Sequence, residues 1–345
     1  MAILSLPTRG PIRRALSISI RYTGNEQIRG RAEEPSDLKG THFDTDLIVE
    51  LLTHTYGWKA EQIKILRDDG YHPEPTFENI IQSMEELVAD SQPGDEFLLH
   101  FSGHGSQVPD DDGDEIYDGL DEVIWPVDVE LDENYEAADR FIRDDDIKRI
   151  LVDRLPPRSR MFIILDCCHS GSAADLGNFN GDYCPTTPIS PIADSKPSNA
   201  GVVKHKIYTS RGQPETALRS PVMTSWDSAQ LPDDDNSPYV TCWAACKDPQ
   251  TTLESENGGL FVKAITRALS KKPQPTHGEL LRMITREMSD VTAQAQRESV
   301  GGEKFEIAIP QISSTFPVTD LYEVKFPLSR MPSPTNARGR TGLFP

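Results

Sequence analysis

The chain has 345 residues, 37% of them hydrophobic and 26% charged, with a formal net charge of −20 at pH 7. That composition fits a soluble globular protein with long polar loops. The acidic excess, with no basic stripe, excludes nucleic acid as a partner and favours a basic substrate or a bound cation. No apolar run approaches the roughly 18–20 residues needed to span a bilayer, so no membrane partner is expected.

Residues 1–14 (MAILSLPTRGPIRR) lack a signal-peptide core and cleavage site and read as a loose arm at a cytoplasmic start, with the nucleus also open to the protein. Ala15–Ile20 reads as the first strand, followed by a polar loop over Arg21–Lys39. From His42 to Tyr56 the apolar residues Phe43, Leu47, Ile48, Leu51 and Leu52 recur at helical spacing. Ile63–Leu66 is a second strand. Thr76, with Asn79 three residues later, opens a helix carrying Ile80, Ile81, Met84, Leu87 and Val88. Glu96–Phe101 is a third strand, running into Ser102, Gly103, His104 and Gly105.

Beyond His104 the character changes, and eight of the thirteen residues from Asp110 to Glu122 are acidic. DEVIWPVD (121–128) then reads as a short extended segment. Arg143 to Asp146 open a helix, where acidic residues suit the positive end of the dipole. Leu155-Pro156-Pro157 stops it, and an apolar run from Met161 to Leu165 reads as a buried fourth strand ending in Asp166, Cys167, Cys168, His169, Ser170 and Gly171. Residues 175–237 carry little periodicity and read as a long loop, and a loop of that length in a compact domain usually has a function. Tyr239–Ala244 is a fifth strand, Gly259–Leu269 and Gly278–Met288 are helices, and Phe305–Ile312 is a last strand. Strands alternating with helices predict an α/β fold with a mostly parallel sheet covered on both faces.

Ligands of such sheets bind in the crevice beyond the carboxyl ends of the strands. If the third and fourth strands end side by side, a thiol and an imidazole share that crevice, as a Cys–His nucleophilic pair requires. Cys168 is the candidate nucleophile and His104 its base. The imidazole and nearby backbone N–H groups would raise the thiolate fraction of a thiol whose ordinary pKa is ~8.5. Gly171 and the amides beside Cys168 could form an oxyanion hole. Cys167 is the rival nucleophile, but alternation along the strand puts Asp166 and Cys168 on one side and packs Cys167 inward. The five cysteines, Cys167, Cys168, Cys184, Cys242 and Cys246, are odd in number and unevenly spaced, which favours reduced thiols over a disulfide framework. Zinc is disfavoured because no CxxC pair exists.

HFSGHGSQ, DGDE and DEVIWPVD, followed by LPPRSRMFIILDCCHSGSAADL, resemble the metacaspases, the caspase-like cysteine peptidases. LKGTHFDTD, CWAACKDPQT and IPQISSTFPVTDLYE extend the resemblance over most of the chain. It implies a caspase-like (caspase-hemoglobinase) fold, with a mostly parallel six-stranded sheet sandwiched between helices. The implied layout is an arm at 1–14, one peptidase domain at 15–326 and a flexible tail at 327–345. Within that domain, 15–174 and 238–326 flank a processing loop at 175–237. The implied chemistry is a dyad of Cys168 and His104, cleavage after Arg or Lys, calcium activation and self-processing, with Lys204, Lys206, Arg211 and Arg219 as basic residues in the processing loop. Protein substrates with Arg or Lys before the scissile bond are the expected partners, and the chain is expected to be a monomer. The alternative is a catalytically silent, calcium-binding scaffold of the same fold.

Charge supports the basic specificity. Asp166 lies two residues before Cys168, and Asp44 follows LKG at the start of the first helix. Two carboxylates near the nucleophile make a pocket for a guanidinium or ammonium, with Ser102 in its wall. Relatives carry a cysteine where this chain has Thr41, so Thr41 is a pocket candidate by position; most carry Ser where it has Cys167. Calcium takes six to eight oxygen ligands. By position, Asp121, Asp144, Asp145 and Asp175 match the family's ligands, with Asp118 the alternative to Asp121.

Overall fold

A computed structural model describes residues 9–25, 37–110, 113, 119–133, 136–167, 176, 178–179, 202–203, 237–245, 254–255, 258–298, 308–317, 322–326 and 328. In chain order the elements that build the site are β1 (Arg13–Ser19), α1 (Thr41–Glu50), β2 (Ile63–Arg67), α2 (Phe77–Val88), β3 (Glu96–Ser102), β4 (Gly105–Pro109), β5 (Leu120–Ile124), β6 (Ile142–Arg143) and α3 (Asp144–Ile147). They continue with β7 (Arg160–Asp166), β8 (Tyr239–Ala244), α4 (Leu260–Lys271), α5 (His277–Glu298) and β9 (Gln311–Ser314).

The central sheet runs β9-β8-β7-β3-β1-β2, with the two-residue strand Asn178–Phe179 on the β9 edge. From β8 to β2 all pairings are parallel, and β9 is antiparallel to β8. Parallel strands are buried on both faces, which is why these segments read as near-continuous apolar runs. Alternation sorts them. Leu16, Ile18, Leu99, Phe101, Ile163 and Leu165 meet Ile80, Met84 and Leu87 of α2 and Ile150 and Leu151 beyond α3. Ala15, Leu98, Phe162, Ile164 and Trp243 meet Ile48 of α1, Phe261 and Ile265 of α4 and Leu280 and Ile284 of α5. Each such fully buried aliphatic contributes about 1.5–3 kcal/mol.

This is the expected α/β sandwich of six main strands. The first helix keeps its expected span but widens into a π-type turn at Leu51–Thr55. Thr76 caps α2 as expected, its Oγ1 accepting the Asn79 amide at 3.3 Å. Three differences stand out. The end of the expected loose arm is pinned: Arg9 bridges to Asp95 at 2.6 Å, and β1 begins at Arg13. β4, unforeseen, pairs antiparallel with β5. The last strand is Gln311–Ser314 rather than Phe305–Ile312, of which 305–307 lie outside the described residues. Pro310 has no N–H to give a ladder, so pairing with β8 starts after it. Of the 175–237 loop, only 176, 178–179, 202–203 and 237 are described. Among the described residues no helix is long and apolar enough to cross a membrane.

Candidate active site

The three strands bearing the motifs end level. Ser19 pairs with Ser102, and Ser102 with Asp166. The Gly103 amide then donates to the Asp166 carbonyl at 3.4 Å, so the two chains leave the sheet together. His104 stands two residues past the end of β3. Cys168, His169, Ser170, Gly171 and Asp175 lie outside the described residues; what is described is the alignment of the two strand ends that lead to His104 and toward Cys168.

His104 is half-buried between two aromatic rings, Tyr22 at 4.7 Å and Trp125 at 5.7 Å between centroids. Its amide donates to the Tyr22 hydroxyl at 2.9 Å, which donates to the Trp125 carbonyl at 2.6 Å. The Trp125 amide closes the cycle by donating to the His104 carbonyl at 3.0 Å. Gly103 makes this approach possible, because a Cβ there would lie 2.6 Å from Phe101 Cζ and 2.8 Å from Tyr22 Oη. Tyr22 itself has φ of 56°, a left-handed conformation costing an L-residue roughly 1–2 kcal/mol. Asp68 holds it there, accepting the Arg21 amide at 2.9 Å and the Tyr22 amide at 2.8 Å.

Cys167 is buried in the α2-side core, in the same cluster as Tyr22, Leu165 and Ile163. The inward packing expected of Cys167 is what the strand alternation produces.

On the opposite face the two carboxylates meet at one helix end. Asp44, in the first turn of α1, is 1% exposed, and Asp166 is 7% exposed. Both cap the N-terminus of α4: Asp44 Oδ1 accepts the Gly259 amide at 2.8 Å, and Asp166 Oδ2 accepts the Val262 amide at 3.3 Å. A Cβ on Gly259 would collide with Asp166 Oδ2 and sit 3.2 Å from Asp44 Oδ2, so the two carboxylates flank one point. Helix N-termini favour negative charge by typically 0.3–1 kcal/mol, more in partly buried settings. The half-buried Lys263 carries its stem past the same helix end.

Ser102 is 1% exposed and its hydroxyl lies 2.9 Å from His100 Nε2. His100 Nδ1 continues to Ser17 Oγ at 2.8 Å, then Thr45 Oγ1 at 2.9 Å and Ser19 Oγ at 2.9 Å. Burial pushes His100 down to about 3, so its ring is neutral, with one nitrogen donating and one accepting. This chain ties Ser102 to the residue after Asp44. Thr41 turns its hydroxyl inward, onto the Ile20 carbonyl at 3.0 Å and the Leu38 carbonyl at 3.1 Å. It braces the start of α1 rather than presenting a polar group to the carboxylates.

Asp121, Asp144 and Asp145 each bring a carboxylate oxygen within 4.8 Å of the others. Asp121 also accepts Arg143 Nε at 2.7 Å. Burial, then the neighbouring Glu122 carboxylate, pushes Asp144 well above the usual carboxylate range. Hard oxygen donors of this kind suit a divalent cation. Asp118 lies outside the described residues.

Tyr22, Asp68 and Trp125 were not among the expected site residues. The crevice rule that found His104 also applies to β1: Tyr22 lies three residues past its end, as His104 lies two past β3.

The metacaspase peptidase C14 domain model matches residues 13–177. Metacaspase-1A of Aspergillus niger is 33% identical over 291 residues, covering 80% of this chain and 67% of that protein. Metacaspase-1 of Ajellomyces capsulatus is 34% identical over 327 residues, covering 90% and 82% respectively. The chain spans 59% of the length of metacaspase-1 of Cryptococcus neoformans, which it also matches at 33% identity. A solved protein of Geobacter sulfurreducens shares the fold at a TM-score of 0.50 and 15% identity, covering 94% of this chain and 96% of its own.

Proposed function

This chain belongs to the metacaspases, cysteine peptidases of family C14, and from that premise we propose that it is a calcium-dependent endopeptidase cleaving after Arg or Lys and processing itself within residues 175–237. The observation that carries the specificity is the meeting of Asp44 and Asp166 at one helix end, beside the strand that leads into Cys168. Two buried carboxylates facing one point suit a guanidinium or an ammonium.

Cys168 attacks as the thiolate, His104 having taken its proton, and a carbon–sulfur bond forms at the scissile carbonyl. The C–N bond breaks as the imidazolium returns that proton to the leaving amine. Water then hydrolyses the thioester, with His104 again acting as base. Asp44 and Asp166 hold the basic side chain, and Ser102, fixed by His100, forms part of the pocket wall.

Asp121, Asp144 and Asp145 would hold the cation, with Asp175 as a further ligand. A bound calcium ion supplies positive charge to these carboxylates and ties together the segments that carry them.

The deciding experiment assays Arg- and Lys-ended fluorogenic peptides, with calcium and with chelator, for wild type and Cys168→Ala. Calcium-dependent cleavage lost in the variant is expected. Calcium binding without any cleavage would instead make the chain a silent scaffold.

A further inference from the structure

We infer that Tyr22 is a positioning residue for His104, holding the imidazole in place through its hydroxyl and its ring. The inference rests on the reading of His104 as the catalytic base.

A catalytic base acts only when its ring is held in line with the proton it takes, and a displacement of about 1 Å can cost on the order of a hundredfold in rate. His104 lies in the two-residue link between β3 and β4, where strand pairing is interrupted. Three contacts from Tyr22 act there. The hydroxyl accepts the His104 amide at 2.9 Å and helps fix the path of the link. The same hydroxyl donates to the Trp125 carbonyl at 2.6 Å, anchoring Trp125, whose ring forms the other wall of the imidazole. The phenol ring packs against the imidazole at 4.7 Å and limits its rotation.

Two further features show how closely this arrangement is specified. Tyr22 holds a left-handed backbone, φ 56°, unusual for an aromatic residue, and the Asp68 carboxylate accepts the amides of Arg21 and Tyr22 to keep it there. Gly103 leaves the space into which the phenol reaches, since any Cβ there would meet Tyr22 Oη at 2.8 Å. Burial pushes the phenol well above its ordinary pKa, so the proton donated to Trp125 is present at any working pH.

The test is Tyr22→Phe in the full chain, which keeps the ring and removes only the hydroxyl, compared with His104→Ala. Expected is a fall in kcat on an Arg-ended peptide of on the order of tenfold to a hundredfold, with KM within about twofold. The thermal midpoint falls as well, because the buried His104 amide and Trp125 carbonyl lose their partner, but the variant stays folded at the assay temperature. Asp68→Asn, which loosens the left-handed turn from outside the site, should give a smaller loss of the same kind. Unchanged kcat in Tyr22→Phe overturns the inference. So does a loss in both variants that tracks the unfolded fraction. An active His104→Ala would instead sink the reading of His104 as base, whatever Tyr22→Phe does.

Discussion

Asp44 Oδ1 accepts the amide of Gly259, 215 residues away in the chain, at 2.8 Å. Through this bond, with Asp166 on the Val262 amide, one helix end sets the position of both carboxylates proposed to bind the substrate. The end of α4 thereby positions the proposed pocket, although it carries no charged group at Gly259.

Gly259→Ala should therefore act on specificity without touching a carboxylate. Its methyl would collide with Asp166 Oδ2 and crowd Asp44 Oδ2. The backbone there has φ of −63°, so alanine fits the conformation and the effect is one of space alone. Cleavage of Arg-ended peptides should fall about tenfold or more, equivalent to ~1.4 kcal/mol, chiefly through KM. Steady-state kinetics at saturating calcium check this, and an unchanged KM contradicts it.

Cys168→Ala should abolish peptidase activity, whereas Cys167→Ser should keep most of it. Cys167 lies in the α2-side core, away from the carboxylate face, so its substitution alters packing rather than chemistry. Burying a hydroxyl costs more than burying a thiol of similar size, so a lower thermal midpoint should accompany retained turnover. The reverse outcome would shift the strand register by one residue.

How far the sequence revealed this site follows from the kind of signal each part leaves. β3, β7 and β8 are continuous apolar runs, so they and the level strand ends beyond them were legible, and with them His104. β4 (GSQVP) was not, because it has one aliphatic residue and is bounded by Gly and Pro. α5 runs ten residues past its expected end at Met288, because its last turns are polar but rich in Ala, Gln, Arg and Glu, which favour helix without marking a buried face. The Tyr22–His104–Trp125 cycle joins three loops far apart in the chain. Such pairings have no period, so only the fold brings them together.

Acid should weaken the fold through two buried histidines. Burial holds both His100 and His277 at about 3, against 6.5 when exposed. The unfolded chain therefore binds protons that the native state refuses, so their contribution is complete above about pH 6.5 and is lost as pH falls toward 3. Each contributes on the order of 1 kcal/mol per pH unit in that window. Asp144, pushed upward, works oppositely: in chelator the native state holds its proton where the unfolded chain has lost it. Urea titrations in chelator at pH 7 and pH 5 should show a net loss of stability on acidification. Equal stability at the two pH values in Asp144→Asn, where that opposing proton is gone, would mean that the histidines are not kept neutral.

The last prediction separates the two acidic sites. Asp145 is the least buried of the three clustered aspartates, and its carboxylate lies within 4.8 Å of Asp121 and Asp144 oxygens. Asp166 belongs to the other site, at the end of α4. Asp121 lies near the start of β5 and Trp125 directly follows its end, so a cation drawing Asp121 toward Asp144 and Asp145 acts on a strand that leads to the wall of His104. Cation binding should then set the rate, while Asp44 and Asp166 set the preference. Asp145→Ala should raise the calcium needed for half-maximal activity severalfold and leave the preference for Arg and Lys intact. Asp166→Ala should lose cleavage of basic peptides at every calcium concentration. Magnesium should substitute poorly, since it demands tighter octahedral geometry and gives up its waters reluctantly. Calcium titrations of both variants on Arg-, Lys- and neutral-ended peptides would show this, and full wild-type activity in chelator would contradict it.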